Sequence, residues 1–506
     1  MVKCLWFLAL AASAAAGQCD SIDFNNDGLF PDTQDRDDFV SVFGGGPCST
    51  GDCNDIDFNN DGIFPDTEDL AAFVRVFSGG KCRDAEGGWT ELQGLPAGAR
   101  VIYLSSAGSE SNSGDDAQHP LRRWPTAWSR VRDGFGDRIC IVGDLTLDEV
   151  NGASMYSKSS VTVYGDMPGR RPVIRRVGEG NALYVSGGGY ITGLTFVGLD
   201  FQSGDVRASS GFAAYATGGD WLIEDCSFSG FQLGMSMIGG PLDGITVRRC
   251  QFFNNAPLNG HSQGAYLEQC RNVLIDECVF DKNGRRPNGD GTIFNHNLYV
   301  HSTCDGIEVR NSISSRASAT GLQLRFNHQD AIGNLVIDCP LGITLGHDDQ
   351  LANYPAKFVY GSVVGNFIVG TSDIAPTAPR RGPAVGFGLA KNVTISGNYI
   401  IDAPNAAYGA IRSDRPSTNV RVIGNYSNWP TPVMQWGGTA SSAEPTNMVD
   451  VDQEPRAIPA IEDYLHHYKI VPATKERFIE LARANRKGAW DERWTAQGYI
   501  QWAKTN

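Results

Sequence analysis

The chain has 506 residues, of which 41% are hydrophobic and 20% charged, and 57 acidic against 42 basic side chains give a formal net charge of −15. Binding to a nucleic-acid backbone needs clustered positive charge, so this balance argues against nucleic acid as the main ligand. The 60 glycines and 24 prolines favour turns, which argues against a mostly helical protein and for many short strands.

The first 17 residues have the pattern of a cleavable secretory signal. They carry Lys3, an apolar run over residues 5–16 and three alanines before Gly17. The apolar run is shorter than the roughly 20 residues that a membrane span needs. We therefore expect a secreted protein, extracellular or associated with the cell surface, in which disulfides are permitted.

Four of the 12 cysteines belong to a tandem repeat. Cys19 and Cys53 are 34 residues apart, and so are Cys48 and Cys82. The simplest connectivity is one bridge in each repeat, Cys19 with Cys48 and Cys53 with Cys82, although spacing alone leaves the other pairings open. Seven further cysteines lie in the middle of the chain, and this odd number predicts at least one free thiol.

Each repeat also carries a loop with oxygen-bearing side chains at alternate positions. Ligands at loop positions one, three and five, with glycine at position six, suit a hard cation such as Ca²⁺. The candidate metal ligands are Asp23, Asn25, Asp27 and Asp35 in the first loop and Asp57, Asn59, Asp61 and Asp69 in the second.

These duplicated loops, within residues 18–83, resemble the calcium loops of dockerins, EF-hand-like modules that dock onto cohesins. The resemblance implies bound calcium and a cohesin-like or cell-surface partner, with a rigid spacer or tether as the alternative. The second half of each loop is one residue longer than the dockerin pattern. The closing ligand is therefore Asp35 or Asp32 in the first loop, and Asp69, Glu68 or Asp66 in the second. Residues 84–100 are expected to be a linker.

The long middle of the chain, residues 101–454, repeats a short strand pattern. Apolar–polar–apolar segments recur before Cys226, Cys250, Cys278, Asn311, Asn334, Asn366, Asn398 and Asn425. Their successive spacings of 24, 28, 33, 23, 32, 32 and 27 residues correspond to one coil of a solenoid and predict a parallel β-helix. Propellers would need about 40 or more residues per unit.

Residues 101–114 form a strand followed by a loop rich in glycine and serine. This segment resembles the opening of right-handed parallel β-helix proteins of the pectate-lyase-like superfamily. The resemblance implies a right-handed solenoid with a capping helix, here at residues 128–133. Residues 455–506 have helical apolar spacing and are expected to cover the end of the coil, with Trp490 and Trp494 as core residues.

Stacked coils place equivalent side chains above one another. The asparagines are therefore expected to pair along the solenoid axis at the spacing of neighbouring strands. Cys226, Cys250 and Cys278 occupy the same column. A packed thiol ladder or one disulfide is expected there rather than a metal site, because stacking in line does not favour tetrahedral coordination.

A second set of strands exposes the candidate chemistry. In residues 234–238, 264–268, 297–301, 321–325 and 342–346, the second and fourth positions are apolar in all five segments and are predicted to point inward. The third and fifth positions then face solvent, as the columns Ser236, Tyr266, Tyr299, Gln323, Thr344 and Ile238, Glu268, His301, Arg325, Gly346. The first column is glycine except at Asn297, which predicts a low floor for an extended chain.

Five candidate catalytic residues fall on three consecutive coils: Tyr266, Glu268, Tyr299, His301 and Arg325. Strand spacing then places them within about 10 Å of one another. Candidate substrate-binding residues at the edges or in the same columns are His261, His296, Asn297 and Gln323. Exposed tyrosine, histidine and arginine in one ladder indicate a binding or catalytic groove.

Open grooves on parallel β-helices resemble those of polysaccharide lyases, uronan epimerases and polygalacturonase-type hydrolases. For a lyase acting on an acidic glycan, Arg325 would bind the uronate carboxylate, His301 would move the adjacent proton, and Tyr299 or Tyr266 would act as acid or second base. Glu268 would orient His301 or bind a sugar hydroxyl.

Three alternatives remain open at this point. An epimerase would use nearly the same groups. A hydrolase needs two carboxylates, with Asp348 and Asp349 as the best partners for Glu268. The third alternative is a non-catalytic glycan-binding or structural surface protein.

Overall fold

The computed structural model describes residues 20–28, 33–56, 58, 67–77, 89–90, 92, 94–204, 208–256, 260–286, 289–346, 358–374, 382–401, 409–428, 434–437, 447–449 and 458–506. The chain divides into two compact units, Met1–Glu91 and Leu92–Asn506. The expected signal segment, residues 1–17, lies outside the described residues. None of the helices in the described ranges combines the length and apolar character that crossing a membrane requires.

The N-terminal unit contains helices α1 (Thr33–Phe43) and α2 (Thr67–Phe77), one after each loop of the tandem repeat. Its core is a cluster of four fully buried phenylalanines, Phe24, Phe39, Phe58 and Phe73. The rings of Phe39 and Phe73 stack with centroids 4.1 Å apart. Because each phenylalanine has its equivalent in the other repeat, the two repeats form one shared core.

The disulfide of this unit corrects the predicted connectivity. Cys48 is bonded to Cys53, with their Cα atoms 5.8 Å apart. The predicted pairs Cys19 with Cys48 and Cys53 with Cys82 are therefore wrong. A turn through Gly51, which has a positive φ of 77°, folds the chain back between the two cysteines. The bridge therefore lies in the segment that connects the two repeats and not inside either repeat. Cys19 and Cys82 lie outside the described residues.

The larger unit is a solenoid of three walls. The front wall contains β4 (Ala153–Tyr156), β7 (Leu183–Thr192), β10 (Ser210–Glu224), β12 (Leu233–Met237), β15 (Gln263–Leu267), β18 (His296–Val300), β21 (Thr320–Leu324), β24 (Leu341–Gly346), β27 (Val385–Gly388), β30 (Ile411–Ser413) and β33 (Met434–Trp436).

The side wall contains β1 (Val101–Leu104), β2 (Arg138–Ile141), β5 (Thr162–Gly165), β8 (Thr195–Val197), β13 (Leu242–Arg248), β16 (Cys270–Asp276), β19 (Asp305–Arg310), β22 (Asn327–Ile332), β25 (Val359–Val364), β28 (Ala390–Ser396), β31 (Thr418–Ile423) and β34 (Met448–Val449). The second halves of β7 and β10 bend into this wall.

The back wall contains β3 (Leu145–Leu147), β6 (Val173–Arg176), β9 (Asp200–Ser203), β11 (Ser227–Ser229), β14 (Gln251–Phe253), β17 (Val279–Asp281), β20 (Ile313–Ser315), β23 (Leu335–Ile337), β26 (Phe367–Val369), β29 (Tyr399–Ile401) and β32 (Tyr426–Ser427).

Each strand pairs in parallel with the equivalent strand of the next coil, and the three walls repeat in the same order along the chain. The predicted right-handed parallel β-helix is confirmed, with the hand that parallel crossovers adopt. Helix α3 (Trp124–Arg130) begins before the predicted residues 128–133, because Pro125 lies in its first turn.

The inner asparagine ladder is also confirmed. The Asn334 Nδ2 donates to Asn366 Oδ1 at 3.0 Å, and Asn366 Nδ2 donates to Asn398 Oδ1 at 2.9 Å. Asn425 continues the ladder. The predicted member Asn311 is replaced by its neighbour Ser312, whose backbone N–H donates to Asn334 Oδ1, because Asn311 takes the preceding left-handed position with a φ of 50°.

Cys226, Cys250 and Cys278 continue this column as buried free thiols, so the predicted thiol ladder is confirmed and the alternative of a disulfide is not. All seven cysteines of the β-helix are buried and free. Burial raises the pKa of Cys140 to about 11 and that of Cys339 to about 12. At neutral pH these side chains are therefore thiols rather than reactive thiolates.

This burial predicts that the seven β-helix thiols will resist alkylation in the native protein. Because burial keeps the reagent away from the sulfur atoms, iodoacetamide at pH 8 is expected to leave them unlabelled over an hour and to label them after unfolding in guanidinium. Peptide mass spectrometry measures the labelling of each site. Rapid labelling of any of the seven before unfolding would contradict the arrangement.

The C-terminal segment contains α4 (Ile461–His467), α5 (Lys475–Ala484), a 3₁₀ helix (Glu492–Trp494) and α6 (Ala496–Thr505). These helices pack against the outer face of the back wall, so the expectation that they cover the end of the coil is wrong. The back-wall strands carry apolar residues on both faces. The outward ones, which include Leu335, Ile337 and Phe367, need to be covered. Trp494 is buried in that cover, as predicted, whereas Trp490 is only half-buried.

Candidate functional site

The candidate site lies on the outer face of the front wall. In register, Tyr266 lies opposite Ser236, Tyr299 opposite Tyr266, and Gln323 opposite Tyr299. The intervening residues, such as Leu298 and Val300, are buried in the core. The predicted alternation of inward and outward side chains is confirmed here, because the strands keep one register over these coils.

The structure brings the predicted catalytic side chains together. The rings of Tyr266 and Tyr299 stack with centroids 5.4 Å apart and planes 11° from parallel. The Arg325 guanidinium carbon lies 5.3 Å from the centre of the Tyr299 ring. The His301 ring centroid is 6.4 Å from the centroid of each tyrosine ring. We refer to Tyr266, Glu268, Tyr299, His301 and Arg325 as the front-wall cluster.

A hydrogen bond fixes the carboxylate of this cluster. The Tyr266 hydroxyl donates to Glu268 Oε2 at 2.8 Å. Burial, followed by this hydrogen bond, raises the pKa of Tyr266 well above its ordinary value. The Tyr266 hydroxyl therefore keeps its proton at all working pH values, and it is unsuited to act as a base.

A threonine that the sequence did not single out contacts His301. The His301 Nδ1 lies 3.0 Å from the hydroxyl oxygen of Thr303. This contact holds the imidazole at the corner between the front and side walls. Short-range hydroxyl contacts two residues along the chain are common at turns, which is the signal that Thr303 offered.

His296 is a support for Tyr299 and does not face the groove. It is buried, and its ring stacks on the Tyr299 ring at 5.3 Å and 17°. Its Nδ1 accepts a hydrogen bond from the Thr320 N–H at 3.3 Å. Burial, together with the positive charges of Arg325 and His261, lowers the pKa of His296 to about 3. His296 is thus enclosed and neutral, and its expected role in substrate binding stays a prediction.

Asn297 is misassigned by the sequence pattern. Its side chain is fully buried, accepts from Asn283 Nδ2 at 3.0 Å and donates to Ser314 Oγ at 3.0 Å. Its side chain therefore points into the coil rather than outward. A Cβ at Gly264 would lie 2.7 Å from Asn283 Nδ2, and one at Gly234 would lie 2.8 Å from Asn255 Nδ2. These two first-column glycines make room for inner asparagines, so the predicted low floor is wrong.

His261 lies at an exposed edge of the site, as predicted. Its ring packs edge-on against Phe294 with centroids 5.5 Å apart. Phe294 and its neighbour Ile293 are both exposed. Sequence reasoning missed this apolar rim because it lies in a long connection between β17 and β18, outside the repeated strands.

Two outward-facing residues are more enclosed than expected. Gln323 is 5% exposed and Thr344 is 4% exposed. Among the described residues, Gln323 Nε2 and Thr344 Oγ1 have no hydrogen-bond partner. Buried polar atoms are normally paired, and these two are exceptions on the coils that follow Tyr299.

The first of the two loops predicted to bind calcium has part of the expected geometry. Asp23 Oδ1 and Asn25 Oδ1 both accept the Asp27 N–H at 3.1 Å, so the two oxygens converge. Gly28 adopts the positive φ of 80° that position six requires. Asp35 is fully buried, and its Oδ1 lies 3.4 Å from the Asn25 nitrogen.

The remaining ligands are less well defined. Within the described ranges, no three His, Cys, Asp or Glu side chains converge closely enough to hold a metal ion. Asp69, like Asp35, is fully buried. Asp57, Asn59 and Asp61 lie outside the described residues, as do Asp348 and Asp349.

Comparison with known proteins supports the solenoid. Residues 181–354 match the family model described as a right-handed β-helix region, and the matched residues contain the whole front-wall cluster. No curated protein matches the chain.

Several solved structures are similar to the chain at low sequence identity. A rhamnogalacturonan lyase is 13% identical with a TM-score of 0.45, over 74% of this chain and 94% of that one. An alginate lyase from Paenibacillus sp. is 14% identical with a TM-score of 0.40, over 68% and 99%. The A-module of a mannuronan C-5 epimerase from Azotobacter vinelandii is 13% identical with a TM-score of 0.38, over 62% and 91%. At this level of similarity the likeness concerns the fold alone.

Proposed function

We propose that the protein is a secreted polysaccharide lyase that cleaves an acidic, uronate-containing glycan by β-elimination at the front-wall cluster. The observation that carries the proposal is the position of Arg325, whose guanidinium lies over Tyr299 and on the coil next to His301. A fixed guanidinium is the side chain best suited to a carboxylate. A structural wall has no need to place it beside a histidine and two tyrosines.

In the proposed reaction, Arg325 pairs with the uronate carboxylate and stabilises the negative charge that develops when the neighbouring C5 proton is removed. Neutral His301 takes that proton. The electrons of the C5–H bond form the C4–C5 double bond, and the bond from C4 to the glycosidic oxygen breaks. The leaving oxygen takes a proton from a tyrosine, so one proton is taken up and one released.

We assign the acid role to Tyr299. The raised pKa of Tyr266 makes it a poor proton donor, because an acid works best when its pKa lies near the working pH. Tyr299 is held between Tyr266 and His296 by ring stacking, which fixes its hydroxyl near the substrate. In this scheme Tyr266 positions Glu268, and Glu268 and Gln323 bind sugar hydroxyls.

The direct test is incubation of the purified protein, with calcium, with pectate, alginate, glucuronan and sulfated uronans. A rise in ultraviolet absorbance reports the unsaturated product and supports the lyase. New reducing ends without that absorbance would replace it with a hydrolase. A change in uronate configuration without cleavage, measured by proton NMR, would indicate an epimerase instead of a lyase. Glycan binding without any reaction would indicate an adhesin.

We also propose that the N-terminal unit binds calcium and serves as a docking or tethering module for a cohesin-like or cell-surface partner. The converging oxygens of Asp23 and Asn25 and the burial of Asp35 support the calcium site. Bound Ca²⁺ would replace the N–H contacts that these oxygens accept now. The secretory pattern of residues 1–17 supports action outside the cell.

Calcium binding is expected to be saturable, with two ions per chain. Replacing Asp23 by alanine is expected to weaken the first site at least tenfold, because a charged oxygen ligand is lost, while Asp52→Asn, in the exposed turn between the repeats, serves as the control. Isothermal titration calorimetry measures both. Absence of calcium binding at millimolar concentration would show that the unit is a metal-free spacer.

A further inference from the structure

The front wall carries a second group of aromatic side chains, on the coils before the front-wall cluster. Tyr156 is 62% exposed, Tyr215 is 48% exposed, and Tyr184 is half-buried. The rings of Tyr184 and Tyr215 lie with centroids 6.0 Å apart. Exposed aromatic groups that are clustered in this way commonly mark a binding surface.

These tyrosines share columns with the cluster. Tyr156 lies opposite Ser186, and Ser186 lies opposite Tyr215. This column continues through Ile238 to Glu268, since Ala214 pairs with Met237 and Met237 pairs with Leu267.

Tyr184 belongs to the neighbouring column, which runs through Ala213 and Ser236 to Tyr266. Strand spacing places Tyr215 about 10 Å and Tyr156 about 19 Å from the coil of Glu268. The three tyrosines and the cluster therefore form one continuous track along the solenoid axis.

Small residues keep the track open. Ser154, Ser186, Ala213 and Ser236 occupy the front-wall positions beside or between the tyrosines. Gly239 lies under Tyr215, where an added Cβ would approach the ring to 3.3 Å. Tyr184 and Tyr215 lie side by side, and the small residues leave low positions next to the tyrosines for sugar rings, with Ile238 as a larger side chain between Tyr215 and Glu268.

We propose that Tyr156, Tyr184 and Tyr215 bind the part of the glycan chain that extends from the cluster toward the N-terminal coils. A pyranose ring has an apolar C–H face that packs on a tyrosine ring, and the phenol hydroxyl remains available for a sugar hydroxyl. The choice of a glycan as the occupant rests on the proposed function and on the continuity of the track with the cluster. Binding far from the reacting bond would help to position that bond.

The test is affinity electrophoresis of the intact protein through gels that contain alginate, pectate, glucuronan or a neutral glucan. The double variant Tyr156→Ala/Tyr215→Ala is expected to bind the retarding polysaccharide about tenfold more weakly, from the loss of two aromatic contacts. Tyr190→Ala is the matched control, because Tyr190 is 56% exposed but lies where β7 turns into the side wall. Circular dichroism and thermal unfolding verify that each variant is folded.

The outcomes separate this inference from the proposed reaction. Loss of retardation in the double variant, with retardation kept in Tyr190→Ala, supports the track even if no uronan is cleaved. Equal retardation of the wild type and the double variant would overturn it, as would the lack of retardation by every polysaccharide. Self-association that sedimentation shows to be lost in the double variant would assign the tyrosines to a contact between copies of the chain and also overturn it.

Discussion

Replacing Arg325 by alanine is expected to lower uronan cleavage by at least a hundredfold. The guanidinium neutralises the substrate carboxylate and the charge that builds on it during proton removal, and loss of one such preorganised group typically costs about 10²–10³ in rate. Arg325→Lys should retain only part of the activity, because a lysine supplies a point charge to the uronate carboxylate without the planar fork of a guanidinium. Initial rates of ultraviolet absorbance measure the effect.

The companion variant His301→Ala is expected to cause a similar loss, since removal of a general base costs about 10²–10⁴ in rate. Arg271→Ala is the control, because Arg271 is an exposed arginine of β16 on the neighbouring wall. Both catalytic variants should retain binding in affinity gels through the tyrosine track. Full activity in either Arg325→Ala or His301→Ala would show that the front-wall cluster is not the site of the reaction.

The largest effect on stability is expected for Asn366→Ala, at about 4 kcal/mol. The Asn366 side chain is fully buried and donates to Asn398 Oδ1 and to the Ala331 carbonyl oxygen. Its own Oδ1 accepts from both the backbone and the side chain of Asn334. Alanine would leave several buried polar groups without partners, and each such group costs about 1–3 kcal/mol.

Urea unfolding followed by circular dichroism measures this loss. Asn428→Ala is the control, because Asn428 is exposed and surface substitutions usually change stability by no more than about 0.5 kcal/mol. A change below about 1 kcal/mol for Asn366→Ala would show that the ladder orders the turns without contributing to stability.

Repetition explains why the sequence predicted so much of the fold. Equivalent residues in successive coils occupy equivalent places, so the column of Asn334, Asn366 and Asn398 and the outward column of Tyr266 and Tyr299 follow from alignment alone. The same logic failed at Asn297. This residue belongs to β18, and strand alternation predicts an outward side chain, but the side chain points into the coil and contacts Asn283.

The pairing of side chains within the site depended on tertiary structure. The Tyr266 hydroxyl donates a hydrogen bond to Glu268, and the His296 ring stacks on the Tyr299 ring. Sequence spacing predicted neither contact. Cys48 pairs with Cys53 because a turn brings them together, whereas spacing favoured pairs within each repeat. These contacts arise from corner geometry and from rotamers, which no periodic pattern encodes.

Sequence periodicity was enough to predict the solenoid, its inward and outward faces, and the coils that carry the front-wall cluster, because a strand has a period of two and a coil has a nearly constant length. Which outward residues are enclosed, and which face of the solenoid the C-terminal helices cover, became clear from the folded chain alone. Those outcomes depend on where bends and long connections place neighbouring segments, and on the apolar surface that remains to be buried once the coil has closed.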